Sequence, residues 1–205
     1  DIGCGMLAAK TNLKRTDVDT PSLSNAFKSI LRRIPVGFQQ HKDKNIHWDA
    51  CHLFEKELEE LLRREPDVLK DMKSRHWTNE MGTLGGGNHF IELSVDENED
   101  LWVILHTGSR GPGNVMASFF IRKAKALAQA NNEDLPDWNL ASFREGTEDF
   151  ENYMLATNWA QRYAFVNRQE ILADVMKSLA DIWPGIALEG EVINCHHNYV
   201  AKETH

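Results

Sequence analysis

Residues 82–114, GTLGGGNHFIELSVDENEDLWVILHTGSRGPGN, decide how this chain is read. FIELSV alternates apolar and polar side chains, LWVILH (101–106) is a continuous apolar run of strand length, and the polar, turn-forming DENED lies between them. Two such runs around a turn predict a β-hairpin. Glycine bounds the hairpin on both sides. GTLGGG leads in, and HTGSRGPGN leads out as a tight loop into VMASFFIRKAKALAQA (115–130), a helical pattern with Asn114 as its N-cap.

Working outward, residues 148–183 contain neither Gly nor Pro and carry Phe150, Met154, Trp159, Tyr163, Val166, Ile171, Val175, Leu179 and Ile182 at helical steps. They predict one long or two joined core helices. Toward the N-terminus, PSLSNAFKSILRR (21–33), HLFEKELEELLRR (52–64) and PDVLKDMKSR (66–75) read as three helices, the first two separated by a polar, irregular loop. GEVINC (190–195) is a short strand that runs into a histidine pair. The expected class is α+β: sheet elements from 83–106 and 190–195 hold a site, with helices packed around them. At 205 residues the chain can bury a sizeable core, and it is read as a single domain. It opens directly on a motif and stops without a turn or helix end, so it is expected to be an excerpt, incomplete at both ends.

The formal net charge of −8 and pI near 5.6 remove any whole-chain signal for nucleic acid. Lys28 with Arg32 and Arg33, Lys42 with Lys44, and Arg63 with Arg64 read as solvated faces. Cys4, Cys51 and Cys195 are an odd number with no secretory-type leader, which favours a reducing compartment, the cytoplasm, over a disulfide framework. No apolar run approaches the ~18 residues a membrane helix needs.

Chemistry gathers where the glycines are. In DIGCGM (1–6), Asp1 and Cys4 place a carboxylate and a thiol close together on a sterically open backbone. His89 follows three glycines, His106 ends the second hairpin strand, and His197 follows the last strand. Cys4 alone reads equally well as a small buried residue, and any one of the histidines as a hydrogen-bonded core group. The five together are a metal-ligand set. His41, His47, His52, His76 and Cys51 lack that context and are assigned no chemistry.

In a regular strand Asn88, Phe90 and Glu92 share one face, and His89 and Ile91 the other. The trio suits a purine nucleotide: Phe90 packs on the ring, Glu92 accepts from guanine N–H groups, and Asn88 contacts a phosphate. It also suits an ordinary solvent-facing strand edge. HTGSRGPGN offers backbone N–H groups, the Ser109 hydroxyl and Arg110 beside a helix start, a setting that favours an anion such as phosphate. LGGGNHF lacks the Lys-Ser/Thr of a P-loop and the third glycine of a dinucleotide fingerprint.

DIGCGM, GTLGGGNHFIEL, LHTGSRGPGN, EGTEDFENYMLATNWAQRYAFVNR and INCHHNYVAKE, in this order and across nearly the whole chain, resemble the RtcB family of RNA ligases. The resemblance implies an RtcB-like catalytic domain. It also implies GTP- and Mn²⁺-dependent joining of RNA 3′-phosphate or 2′,3′-cyclic phosphate ends to 5′-hydroxyl ends, in tRNA splicing or RNA repair, with RNA ends and GTP as partners.

By motif, Asp1, Cys4, His89, His106 and His197 would bind two Mn²⁺ ions with the Cys4 thiolate shared. Asn88, Phe90 and Glu92 would form the guanylate pocket, Arg110 would contact a phosphate or RNA terminus, and Asn198 is a weaker candidate. Residue chemistry alone would favour zinc over manganese on Cys and His ligands; manganese rests on the resemblance. The histidine that the family guanylylates lies in a C-terminal half, and His205 is too close to INCHHNYV to be it. Incubation with labelled GTP and Mn²⁺ is therefore expected to leave this chain unlabelled. The competing readings are a metal-dependent phosphoesterase acting on RNA termini, and a non-catalytic metal- or RNA-binding module.

Overall fold

The computed structural model describes residues 1–42, 51–72 and 77–204. Lys44, His47, His76 and the end of the third expected helix lie outside them. The fold is α+β, with a four-stranded antiparallel sheet in the order β2-β3-β1-β4. The expected hairpin is present as β2 (Phe90–Val95) and β3 (Asp100–Thr107). Its turn is organised by Asp96, whose carboxylate accepts from the amides of Asn98 and Asp100 at 2.9 Å and from the Trp102 indole at 2.9 Å. The last strand, β4, spans Leu188–His196.

A central strand, β1 (Gly5–Lys14), departs from the expected sheet. No strand is expected from the sequence over residues 5–14, yet β1 pairs with β3 on one side and β4 on the other. Leu7, Ala9 and Thr11 turn into the core while Met6, Ala8 and Lys10 face out. The alternation is regular, but Ala and Lys are weak strand formers; double-sided pairing, a tertiary effect, overrides that preference.

Among the described residues six α-helices accompany the sheet: α1 (Thr20–Arg33), α2 (Cys51–Arg64), α3 (Pro66–Met72), α4 (Trp77–Glu80), α5 (Arg110–Ala130) and α6 (Glu148–Ala180). α1 starts at an Asp19 N-cap that accepts from the Ser22 amide at 2.8 Å. The long C-terminal helix is a single element, capped by the Thr147 hydroxyl. α5 begins five residues earlier than the Asn114 cap implied, with Ser109 in the N-cap position. Its first turn consists of the glycines and Pro112 that the sequence suggests as loop, and proline is tolerated there because the first-turn N–H groups need no helical acceptor.

α6 separates two cores. On one side Leu7, Val103, Leu105, Ile171 and Val175 fuse it to the inner face of the sheet, with Ala26 and Ile34 of the α1 region. On the other, Trp159 and Tyr163 pack with Phe54 and Leu61 of α2 and with Met116 and Phe120 of α5. The outer face of the sheet stays partly exposed, with Phe90 at 37% and Ile193 at 54%. The expected basic faces are largely neutralised: Arg33 binds Asp181, and Arg63 and Arg64 both bind Glu60. Among the described residues no helix is long and apolar enough to cross a membrane.

Candidate metal centre

The ends of β1, β3 and β4 meet at one corner of the sheet. Because β1 starts at Gly5, Cys4 lies at its threshold. Gly5 is paired with both Thr107 and His196, so His106 and His197 are brought beside the thiol by strand register alone. His197 is tied further by its amide, which donates to the Cys4 carbonyl at 2.9 Å. His89 arrives from the glycine-rich lead-in to β2.

All five expected ligands converge. Cys4 Sγ is 3.1 Å from His106 Nε2 and 3.7 Å from His89 Nε2. His106 Nε2 is 3.2 Å from His197 Nε2, and His89 Nε2 is 3.0 Å from Asp1 Oδ2. The donors fall into two groups, Cys4–His106–His197 and Asp1–Cys4–His89, with only Cys4 in both.

The ring orientations say what these groups need. His89 Nδ1 donates to the Leu84 carbonyl at 3.1 Å, and His106 Nδ1 donates to the Asn88 carbonyl at 3.0 Å. In each neutral ring the proton is therefore on Nδ1, and Nε2 presents a lone pair inward. A lone pair on His89 then faces a carboxylate oxygen, and one on His106 faces a thiol sulfur and a second imidazole. At His89 and Asp1, acceptor is held against acceptor, which repels unless a cation lies between them; at His106 the Cys4 S–H or a His197 Nε2–H can donate to the lone pair. One sulfur, three imidazoles and one carboxylate form a donor set suited to first-row divalent metals.

Electrostatics mostly agree. Burial, with Arg110 nearby, pushes the His89 pKa down and keeps the ring neutral. His197 is lowered as well, first by burial and then by His106 and Arg168. Burial raises the Cys4 thiol, opposed by the Gly5 amide and by Arg168. Binding a metal there would release the thiol proton.

Phe90 and Glu92 lie on the outer face of β2, as the alternation implies, and Ile91 and Leu93 face the core. Asn88 and His89 precede the strand in a turn, so strand alternation does not extend to them. His106 is directly opposite Phe90, their rings 5.6 Å apart, so one metal donor shares the outer face with the candidate guanylate residues. Arg110 points elsewhere. It lines a cleft of about 400 Å³ with Asp1, His89, Phe38 and Asn114. Its Nε donates to the Thr83 hydroxyl at 2.8 Å and its Nη2 to the Gly37 carbonyl at 2.7 Å.

The anion-favouring start of α5 already meets protein carboxylates. The Gly111 amide donates to Glu80 at 2.7 Å, and the Ser109 amide and hydroxyl donate to Asp1 at 3.3 and 3.5 Å. A Cβ at Gly108 would lie 2.3 Å from Asp1 Oδ1, so that glycine is required for the carboxylate to fit. Asn198 holds the same loop, donating from its side chain to the Asp1 carbonyl at 2.7 Å.

Sequence reasoning missed Glu80, Asn167 and Arg168. The signal for the last two was present: Asn167 is in phase with Tyr163 and Ile171, and Arg168 with Ala164 and Leu172. Polar residues on the apolar stripe of a helix mark buried polar contacts.

The family model described as tRNA-splicing ligase RtcB matches residues 1–205. The RNA-splicing ligase RtcB of Escherichia coli K12 is 37% identical over 220 residues, which cover all of this chain and 53% of that protein. The tRNA-splicing ligase RtcB of Methanococcus maripaludis is 29% identical over 245 residues, covering all of this chain and 50% of that protein. The chain thus spans about half the length of these curated relatives. With the family model matched from end to end, this chain belongs to the RtcB family.

Proposed function

We propose that this chain carries the metal-binding part of an RNA-joining active site, acting on RNA 3′-phosphate or 2′,3′-cyclic phosphate ends and 5′-hydroxyl ends in tRNA splicing or RNA repair, with GTP and two Mn²⁺ ions as cofactors, in the cytoplasm. The observation that carries the reading is the pair of donor groups sharing the Cys4 sulfur. Asp1, Cys4 and His89 would hold one ion, and Cys4, His106 and His197 the other. Two such cations would neutralise charge on a transferring phosphoryl group and polarise it for attack.

The chain's own residues orient that chemistry. Leu84 and Asn88 carbonyls fix the tautomers of His89 and His106, Asn198 fixes the Asp1 loop, and Arg110 adds positive charge to the cleft beside Asp1 and His89. Phe90 and Glu92, with Asn88, would receive the guanine nucleotide on the outer face next to His106.

The test is a comparison of short RNAs bearing a 3′-phosphate or a 3′-hydroxyl, each titrated into the chain with and without Mn²⁺. The 3′-phosphate RNA is expected to bind about tenfold more tightly, an advantage of about 1.4 kcal/mol, and only with Mn²⁺. Equal affinity for both ends would remove the proposal. Metal-dependent opening of a cyclic phosphate end, with no joining when a 5′-hydroxyl RNA and GTP are supplied to the full-length protein, would favour the phosphoesterase reading.

A further inference from the structure

Every segment that carries a metal donor is gripped by two consecutive residues of α6. Asn167 is fully buried. Its Oδ1 accepts from the Gly82 amide at 2.7 Å, and its Nδ2 donates to the carbonyls of Thr83 at 3.3 Å and Gly108 at 3.2 Å. Arg168 is also fully buried. Its Nη1 donates to the carbonyls of Gly3 at 2.9 Å and Thr107 at 3.0 Å and its Nε to Asn194 Oδ1 at 2.6 Å, while its Nη2 lies 3.1 Å from His196 Nδ1, which is itself 2.9 Å from the Gly3 carbonyl.

The gripped atoms are adjacent to the ligands. Gly3 precedes Cys4, Thr107 follows His106, His196 precedes His197, and the 82–83 segment opens the lead-in whose Leu84 carbonyl orients His89. We infer that Asn167 and Arg168 are the positioning residues of the metal centre, fixing the ligand-bearing segments to one rigid helix so that their donors converge. The inference rests on the metal-binding reading above.

Two features separate this role from ordinary core satisfaction. First, a buried guanidinium is costly unless paired, and among the described residues no carboxylate forms a salt bridge with Arg168. Its acceptors are three neutral oxygens, and burial lowers its pKa only to about 10, so the side chain stays cationic at neutral pH. An apolar residue would satisfy a helix–sheet contact at lower cost; a planar fork reaching three segments at once is what converging strand ends require. Second, Asn152 on the same helix is equally buried and hydrogen-bonded, to Glu65 and Arg64, but holds no ligand segment. It supplies an internal control.

The probe is Co²⁺, whose thiolate charge-transfer and d–d bands report ligand geometry. Asn167→Ala, Arg168→Lys, Asn194→Ala and Asn152→Ala are titrated with Co²⁺ after circular dichroism shows the metal-free chain folded. Asn167→Ala and Arg168→Lys are expected to lose roughly 10- to 100-fold in Co²⁺ affinity, the range for lost outer-sphere support, with shifted d–d bands. Asn194→Ala removes the acceptor of Arg168 Nε, and with it a donor to the Phe165 carbonyl of α6, from a partly exposed strand position, so it keeps the test open if the core variants do not fold. Its expected loss is about three- to tenfold.

Asn152→Ala is expected to leave affinity and spectrum unchanged. Affinities within twofold of the parent for the folded Asn167, Arg168 and Asn194 variants, or an equal loss in Asn152→Ala, would overturn the inference. A parent chain that binds no Co²⁺ would instead overturn the metal-binding reading itself.

Discussion

Cys4→Ala is expected to remove both metal ions at once, with each apparent affinity falling by more than about 100-fold, beyond what loss of an outer-sphere contact costs. The sulfur is the one atom common to the two donor groups. Without it, each group retains only two of its three donors. Single changes elsewhere should be asymmetric: His197→Ala depletes the Cys4–His106–His197 group and Asp1→Asn the Asp1–Cys4–His89 group. Each is expected to lower the measured stoichiometry from two ions to one.

The fold should tolerate Cys4→Ala. The side chain is small, so its loss removes little buried area, on the order of 1 kcal/mol. Metal analysis after equilibrium dialysis against Mn²⁺, with circular dichroism to check folding, gives the readout. A folded Cys4→Ala chain that retained two ions would show that the thiolate is not a shared ligand.

Much of this centre is legible without coordinates. His89, His106 and His197 fall at element ends because glycine and polar punctuation fix those ends, and ligands at strand termini converge whenever the strands pair. Pairing is the part a local pattern does not contain. Gly5–Lys14 reads as a strand only once β3 and β4 flank it, since its Ala and Lys residues have little preference for extended structure.

The start of α5 misleads for the opposite reason. Gly-Pro-Gly is strong loop punctuation, yet at Gly113 any Cβ would lie 1.9 Å from Ser109 Oγ, so glycine there is what lets the first helical turn close over its N-cap residue. Arg110 was legible as a cation near the site. Its bonds to Thr83 and Gly37 depend on a chain segment far away in sequence and are visible only in three dimensions.

The largest stability change is expected from Trp159→Ala, which connects the second core to the helix that positions the site. Trp159 is 1% exposed, stacks on Tyr163 at 5.1 Å and 17°, and meets Phe54 and Trp77 edge-on at 5.6 and 6.0 Å. Its indole N–H also donates to the Phe54 carbonyl at 2.9 Å inside α2.

Truncation to alanine leaves an aromatic-sized cavity, about 3–5 kcal/mol, and removes the Phe54 carbonyl's indole donor, adding about 1 kcal/mol or more. Against a total stability of about 5–15 kcal/mol, that leaves α2 and the aromatic layer marginally attached. With a urea slope near 2–3 kcal/mol per molar, the unfolding midpoint should fall by about 1.3–3 M.

Ile121→Ala, at a position 55% exposed on α5, should shift the midpoint by less than about 0.5 M, because little of that side chain leaves water on folding. Equal shifts for the two variants would mean that the Trp159 cluster does not hold α2 to α6. If Trp159→Ala loses the α2 side while the sheet and the Asn167–Arg168 grip persist, Co²⁺ affinity should survive in urea concentrations that already expose Trp77. That outcome would show the metal centre drawing its rigidity from the sheet side of α6 alone.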